Sequence, residues 1–362
     1  MSFDARSSAT RAFRRPLVGI TIACLISVTL AAGLMGRRAL ANAGAKKGAM
    51  VARRFDKTYA RPAAIPFPDD NPYTSAREAL GKALFFDPRL SGSNRISCAS
   101  CHNPAQSWAD GLPRAIGHDR RILRRRTPTL LNLAWSDSMF WDGRASTLET
   151  QALGPIQAAG EMNLSLDRMV AKVAAVDGYR ELFARAYPGR PIAPDTVAQA
   201  IATFERQIVS GTAPFDRWLE GEDGAMSADA RRGFEVFNGK AHCSTCHGGW
   251  RFTDDSFHDI GLPGADRGRG DILPAIEAIQ HAFKTPTLRN IDRRGPYMHD
   301  GSVRTLQDVI ALYDRGGVAR RPSLSPEIKP LGLTPDERRD VVAFLGALTS
   351  ADKPVQVPML PR

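Results

Sequence analysis

The residue types able to do chemistry in this 362-residue chain are concentrated in two pentapeptides, Cys98-Ala99-Ser100-Cys101-His102 and Cys243-Ser244-Thr245-Cys246-His247. They use four of the five cysteines. Two thiols at this spacing can each meet one vinyl group of a haem, and a histidine directly after the second can ligate the iron. A zinc site built from the two Cys pairs, or a pair of redox dithiols, would use the same thiols. Neither explains why histidine follows each pair directly, and free dithiols in an exported chain would oxidise. The pattern predicts two covalently bound haem c groups, one on Cys98 and Cys101 and one on Cys243 and Cys246, with His102 and His247 as iron ligands.

Helices must wall such groups, and the apolar spacing supplies them. Ala79, Leu80, Ala83, Leu84 and Phe85 fall at helical intervals ahead of the first motif, and residues 230–237 do so ahead of the second. Both stretches contain Gly-x-x-x-Phe, Gly81 with Phe85 and Gly233 with Phe237. Downstream of each motif Pro-Asp opens another helix. Pro194-Asp195 leads the stripe Val197, Ile201, Phe204 and Ile208. Pro335-Asp336 leads Val341, Val342, Phe344 and Leu345, with Thr334 and Glu337 at capping-box spacing. Helix, motif, long loops and closing helix thus occur twice, the pattern of a duplicated unit. The expected fold is mainly α, with two cytochrome-c-like helical domains, residues 73–222 and 223–350, each carrying one haem. A linker over 44–72, Pro-rich from 61, precedes them, and a tail over 351–362 follows.

The net charge of +11 invites a nucleic-acid reading until its distribution is examined. Residues 1–61 hold 12 Lys/Arg and 2 Asp/Glu, leaving 37 basic against 36 acidic residues in the rest. The body is close to neutral, so nucleic-acid binding loses its support. The basic segment has Arg6, Arg11, Arg14 and Arg15, an uncharged run over 17–36 and small-residue sites at Ala39-Leu40-Ala41 and Ala41-Asn42-Ala43. It reads as an export signal over residues 1–43, which places the protein in the periplasm. The run is as long as a membrane span, so a retained inner-membrane anchor is the alternative to cleavage. Cys24 reads as a small apolar residue of this segment.

The sequence also resembles the bacterial di-haem cytochrome c peroxidase family, which includes the MauG-type enzymes. The resemblance rests on Gly81-Lys82-Ala83-Leu84-Phe85-Phe86-Asp87-Pro88-Arg89-Leu90, Phe140-Trp141-Asp142-Gly143-Arg144-Ala145, Gln151, Gly160-Glu161-Met162, Pro286-Thr287-Leu288-Arg289-Asn290 and Pro296-Tyr297-Met298-His299-Asp300-Gly301. It implies that the N-terminal haem handles hydrogen peroxide and the C-terminal haem handles electrons. Those electrons would come from a small redox protein, a cytochrome c or a cupredoxin, or from residues of a protein being oxidised. By position, Glu161 would be the distal acid/base, Gln151 its neighbour, and Trp141 an electron relay between the haems. A di-haem cytochrome that only carries electrons would need neither Glu161 nor Gln151.

Two positions combine features of different branches. His118 lies 16 residues after His102, where classical peroxidases place a histidine that caps the N-terminal haem and MauG leaves the site open. A loop histidine beside Arg120 and Arg121 is the alternative. Tyr313 lies 14 residues after His299, where classical members place a methionine ligand and MauG-type members a tyrosine. Leu306, Val309, Ile310 and Tyr313 also form one helical face, so Tyr313 reads as core too. A tyrosinate ligand would favour ferric and higher states, whereas methionine, for instance Met298, would raise the potential.

Two departures limit the carry-over. The resemblance implies an asparagine calcium ligand two residues before a Pro-Thr pair, and this chain has Arg126 there, which counts against calcium. MauG has a surface tryptophan two residues before its second motif, and this chain has Ala241.

Overall fold

A computed structural model describes residues 57–352 and 354–362. The export segment, its alternative as an anchor over 17–36 and Cys24 lie outside the described residues. In chain order the helices are α1 Ser75–Phe86, α2 Cys98–Cys101, α3 Leu148–Gln157, α4 Leu166–Ala174, α5 Asp177–Ala186, α6 Pro194–Arg206, α7 Pro214–Leu219, α8 Ala228–Asn238, α9 Leu306–Asp314 and α10 Pro335–Gly346. β1 Phe257–His258 and β2 Phe283–Lys284 pair antiparallel. Much of the remaining chain is loop and short 3₁₀ turns.

The two Gly-x-x-x-Phe stretches become the same helix crossing in each half. α1 lies across α6, and a Cβ built on Gly81 would stand 1.8 Å from the Ala200 carbonyl oxygen. α8 lies across α10, and a Cβ on Gly233 would stand 1.8 Å from the Asp340 carbonyl oxygen. Only glycine permits backbones to approach this closely. The phenylalanine one turn later packs on the partner helix in both halves, Phe85 against Phe204 at 5.2 Å between ring centres and Phe237 against Phe344 at 5.1 Å. These tilted and edge-on contacts are the favoured aromatic geometry.

The closing helices start as their sequences require. Thr334 Oγ1 accepts from the Glu337 amide at 3.2 Å, and Glu337 Oε2 accepts from the Thr334 amide at 2.8 Å. α6 ends at Arg206, two residues before Ile208, which continues the buried stripe beyond the helix. Around α1 and α6 the first core gathers Leu80, Leu84, Phe85, Ile156, Tyr179 and Ile201. Around α8 and α10 a second is built from aromatic rings, with Tyr59 of the linker stacked on Phe252 at 5.0 Å.

The described residues pack as one unit, and charged pairs cross the seam between its halves. The Arg125 guanidinium bridges Asp142 of the first half at 2.6 Å and Asp266 of the second at 2.8 Å. The Lys284 amide donates to the Trp141 carbonyl at 2.8 Å. The tail returns to the first half, where the Gly178 amide donates to the Arg362 carbonyl and Arg89 donates to that of Pro361. Among the described residues no helix is long and apolar enough to cross a membrane.

Candidate active site

The first motif forms the single turn α2, and the His102 amide closes it onto the Cys98 carbonyl at 2.9 Å. The His102 Nδ1 donates to the Trp108 carbonyl at 3.1 Å. In the second motif the His247 amide bonds the Cys243 carbonyl at 2.9 Å, and His247 Nδ1 donates to the Phe252 carbonyl at 2.9 Å. Both accepting residues, Trp108 at φ 61° and Phe252 at φ 56°, are in the left-handed region, an uncommon conformation for a bulky side chain. These bonds hold each proton on Nδ1 and leave the Nε2 lone pair for a metal. Burial lowers the pKa of both imidazoles, which favours the neutral, ligating form.

Burial raises the thiols, Cys101 to about 11 and Cys243 to about 12. Cys98 is also raised by burial, and next by the Glu205 carboxylate. The two Cys pairs do not converge on one point. Among the described residues, the set of three potential ligand atoms lying within 4.8 Å of one another is Cys246, Asp254 and His258. A single zinc shared by the two pairs therefore does not match this arrangement.

What the motifs share instead is space. One continuous cavity of about 770 Å³ is lined by both Cys-x-x-Cys-His sequences and by the residues between them. Its walls are largely apolar, as a porphyrin needs, and each Nε2 belongs to a histidine that lines it. The residues present thus fit two haems bound through thioethers.

The distal residues suggested by the family pattern both line this cavity. α3 carries Gln151 to the cavity, and the turn after it brings Glu161, whose amide bonds the Ala158 carbonyl at 2.9 Å. Burial raises the Glu161 pKa and the Arg144 charge opposes that rise. Trp141 lines the same cavity, and its Nε1 donates to the Arg126 carbonyl at 3.0 Å.

Tyr313 of α9 lines the same cavity, buried, with its pKa raised first by desolvation and then by the charges of Cys243 and Cys246. It faces the second motif. Met298 also lines the wall. His118 does not: Gly117 and Arg121 line the cavity, while the His118 Nε2 approaches Asp119 Oδ2 at 3.3 Å. Its main chain is close, since its amide donates to the Glu161 carbonyl at 2.8 Å.

Ala241 is 5% exposed and lines the cavity, so this position is wall and not surface. Sequence reasoning missed two further groups. Glu205 is fully buried in α6, lines the cavity and has its pKa raised by desolvation to about 8, and its Oε2 has no partner. A carboxylate four residues after Ile201 on an apolar stripe was the available signal. Arg294 is also buried on the wall, and nothing in its local pattern marks it.

Residues 75–224 match the family described as di-haem cytochrome c peroxidase, and residues 230–349 match cytochrome c. The chain is 53% identical over 306 residues to the methylamine utilization protein MauG of Methylorubrum extorquens, covering 84% of this chain and 86% of that protein. The chain belongs to the di-haem cytochrome c peroxidase family. Another member, cytochrome c551 peroxidase of Pseudomonas aeruginosa, is 33% identical over 301 residues, covering 80% of this chain and 83% of that protein. A solved MauG-like protein associated with microbial copper homeostasis superposes with a TM-score of 0.74 at 33% identity, covering 81% of this chain and 95% of that one. As a di-haem peroxidase the chain carries two covalently bound c-type haems and is an oxidoreductase acting on hydrogen peroxide. The two helical halves are its cytochrome-c-like domains. Family members are periplasmic.

Proposed function

We propose that hydrogen peroxide is reduced on the Glu161 side of the N-terminal haem and that the oxidising equivalents are spent, through the second haem, on a partner protein. The observation that carries this reading is Tyr313, a buried phenol on the cavity wall beside Cys243 and Cys246. Its oxygen is a hard anionic ligand when deprotonated, and such a ligand holds a haem at low potential. A haem of that kind is a poor acceptor of electrons from a high-potential cytochrome. The 53% identity to a protein named MauG agrees.

Reduction of one peroxide to two waters takes two electrons and two protons. When bound, the N-terminal haem iron supplies the site at which the O–O bond is cleaved. Glu161 would move a proton from one peroxide oxygen to the other, so that the second leaves as water. Gln151 positions the peroxide by hydrogen bonding. His102, fixed through Trp108, and His247, fixed through Phe252, would hold the two haem irons. Trp141, on the cavity wall, passes electrons from the C-terminal to the N-terminal side. Residues 73–222 hold the peroxidatic haem and 223–350 the electron-transfer haem. The protein works in the periplasm, and residues 17–36 either are removed on export or tether it to the inner membrane.

The second reading keeps the peroxide site and draws electrons from a small redox protein, which the classical P. aeruginosa relative favours. A spectroscopic peroxide titration of the oxidised and of the one-electron-reduced holoprotein separates the two. Direct reaction of the oxidised protein is expected here. Reaction only after reduction would give the site to the classical scheme.

A further inference from the structure

Arg126 and Arg294 are 6% and 4% exposed, and neither has a carboxylate partner among the described residues. Elsewhere this fold pairs its buried arginines. Arg289, fully buried, meets Asp216 at 2.8 Å, Arg206 meets Glu149 at 2.6 Å, and Arg125 is held by Asp142 and Asp266. The two exceptions both line the cavity. They are also neighbours: an Arg126 terminal nitrogen donates to the Arg294 carbonyl at 2.7 Å, and the Arg126 amide donates to the His299 carbonyl at 2.8 Å. The Nε of each is buried without a partner.

Two adjacent guanidinium charges removed from water cost several kcal/mol each unless an anion meets them. Desolvation and then the Arg126 charge push Arg294 down to about 9, which expresses that cost. Asp110 acts on Arg126, and Tyr297 and Asp292 on Arg294, without forming an ion pair, which leaves the cavity side for a contacting anion. A planar guanidinium is matched by a carboxylate, which it can bind through two parallel hydrogen bonds. Each haem that fills this cavity brings two carboxylates of its own.

We propose that Arg126 and Arg294 form a guanidinium clamp for haem propionate carboxylates at the seam between the two motifs, raising the reduction potential of the haem they hold. Arg126 stands where the family pattern implies a calcium ligand, so fixed side-chain charge does here what a bound cation would do. The Trp141 indole bonds the same residue's carbonyl, so the clamp lies beside the proposed electron path.

The test is a spectroelectrochemical titration of the purified holoprotein, which reads each haem without peroxide turnover and is independent of the peroxidatic reading. Removing positive charge disfavours the reduced form. Arg126→Met and Arg294→Met should each lower the reduction equilibrium constant of at least one haem about tenfold, a shift of about 59 mV for one electron. Arg126→Lys, which keeps the charge, should stay within about threefold of wild type. Exhaustive chelation of wild type should leave both potentials and spectra unchanged. Unchanged potentials in both methionine variants with both haems attached would refute the clamp. So would loss of potential on chelation restored by calcium, or potentials that track added chloride, which would assign the site to a mobile ion. Should the methionine variants not assemble, infrared difference spectra of wild type and Arg126→Lys with carboxylate-labelled haem decide: propionate bands that do not shift overturn the proposal.

Discussion

The indole Nε1 of Trp141 donates to the Arg126 carbonyl at 3.0 Å, fixing an oxidisable ring against the main chain of a residue that lines the same cavity. The Trp141 carbonyl meanwhile accepts from Lys284 of the other half. Trp141→Phe removes the indole and the Nε1 bond but keeps an aromatic filler. Electron exchange between the haems, followed by stopped-flow after partial reduction, should slow about tenfold or more, equivalent to about 1.4 kcal/mol in the barrier. An unchanged rate would remove Trp141 from the path.

Glu161→Gln keeps the shape of the distal wall and removes the proton acceptor. Both haems should attach normally, while peroxide turnover falls about 10²- to 10⁴-fold. In wild type the raised pKa has a definite sign. The base is active when deprotonated, so turnover should decline with falling pH at a value above that of an ordinary glutamate, and the variant should lose this limb. A pH–rate profile of both proteins checks it.

Tyr313→Met replaces a phenol by a thioether on the same face of α9. The expected outcome is a change of absorption spectrum confined to the C-terminal haem and a rise in its potential. Unaltered spectra would point to another ligand, with Met298 on the same wall the first to examine.

Glu205 titrates in the opposite sense from a paired carboxylate. Its pKa is raised from 4.5 to about 8 by burial, so between those values the folded protein holds a proton that the unfolded chain releases. Stability should therefore fall as pH rises across that window. Glu205→Gln, uncharged at every pH, should flatten the dependence of Tm on pH between about 5 and 8, measured by calorimetry.

Gly81→Ala and Gly233→Ala each place a methyl 1.8 Å from a main-chain oxygen of the crossing helix. A carbonyl cannot rotate away as a side chain could, so the helices must separate. Each substitution should cost about 1–3 kcal/mol in denaturant unfolding, and more where the shift disturbs the phenylalanine one turn on.

Much of this site was legible in the sequence because its parts are local. A Cys-x-x-Cys-His pentapeptide carries attachment and ligation within five residues, and Thr334 with Glu337 declares its cap at fixed spacing. The paired Gly-x-x-x-Phe could be seen twice, but its meaning lay in the carbonyls of Ala200 and Asp340, more than a hundred residues away. Glu161 and Gln151 were reachable only through family position, since a lone glutamate in a loop is ordinarily solvated. Arg126 was noticed as a departure, whereas Arg294, its spatial neighbour 168 positions on, was not.

The single cavity that serves both motifs has a thermodynamic consequence. Charge added at one end is felt at the other through a wall that is mostly apolar and poorly screened. Reduction of either haem should then make reduction of the other harder by the same factor, because such coupling is reciprocal. The two centres would titrate as one four-state system, and a midpoint measured for either would describe the pair.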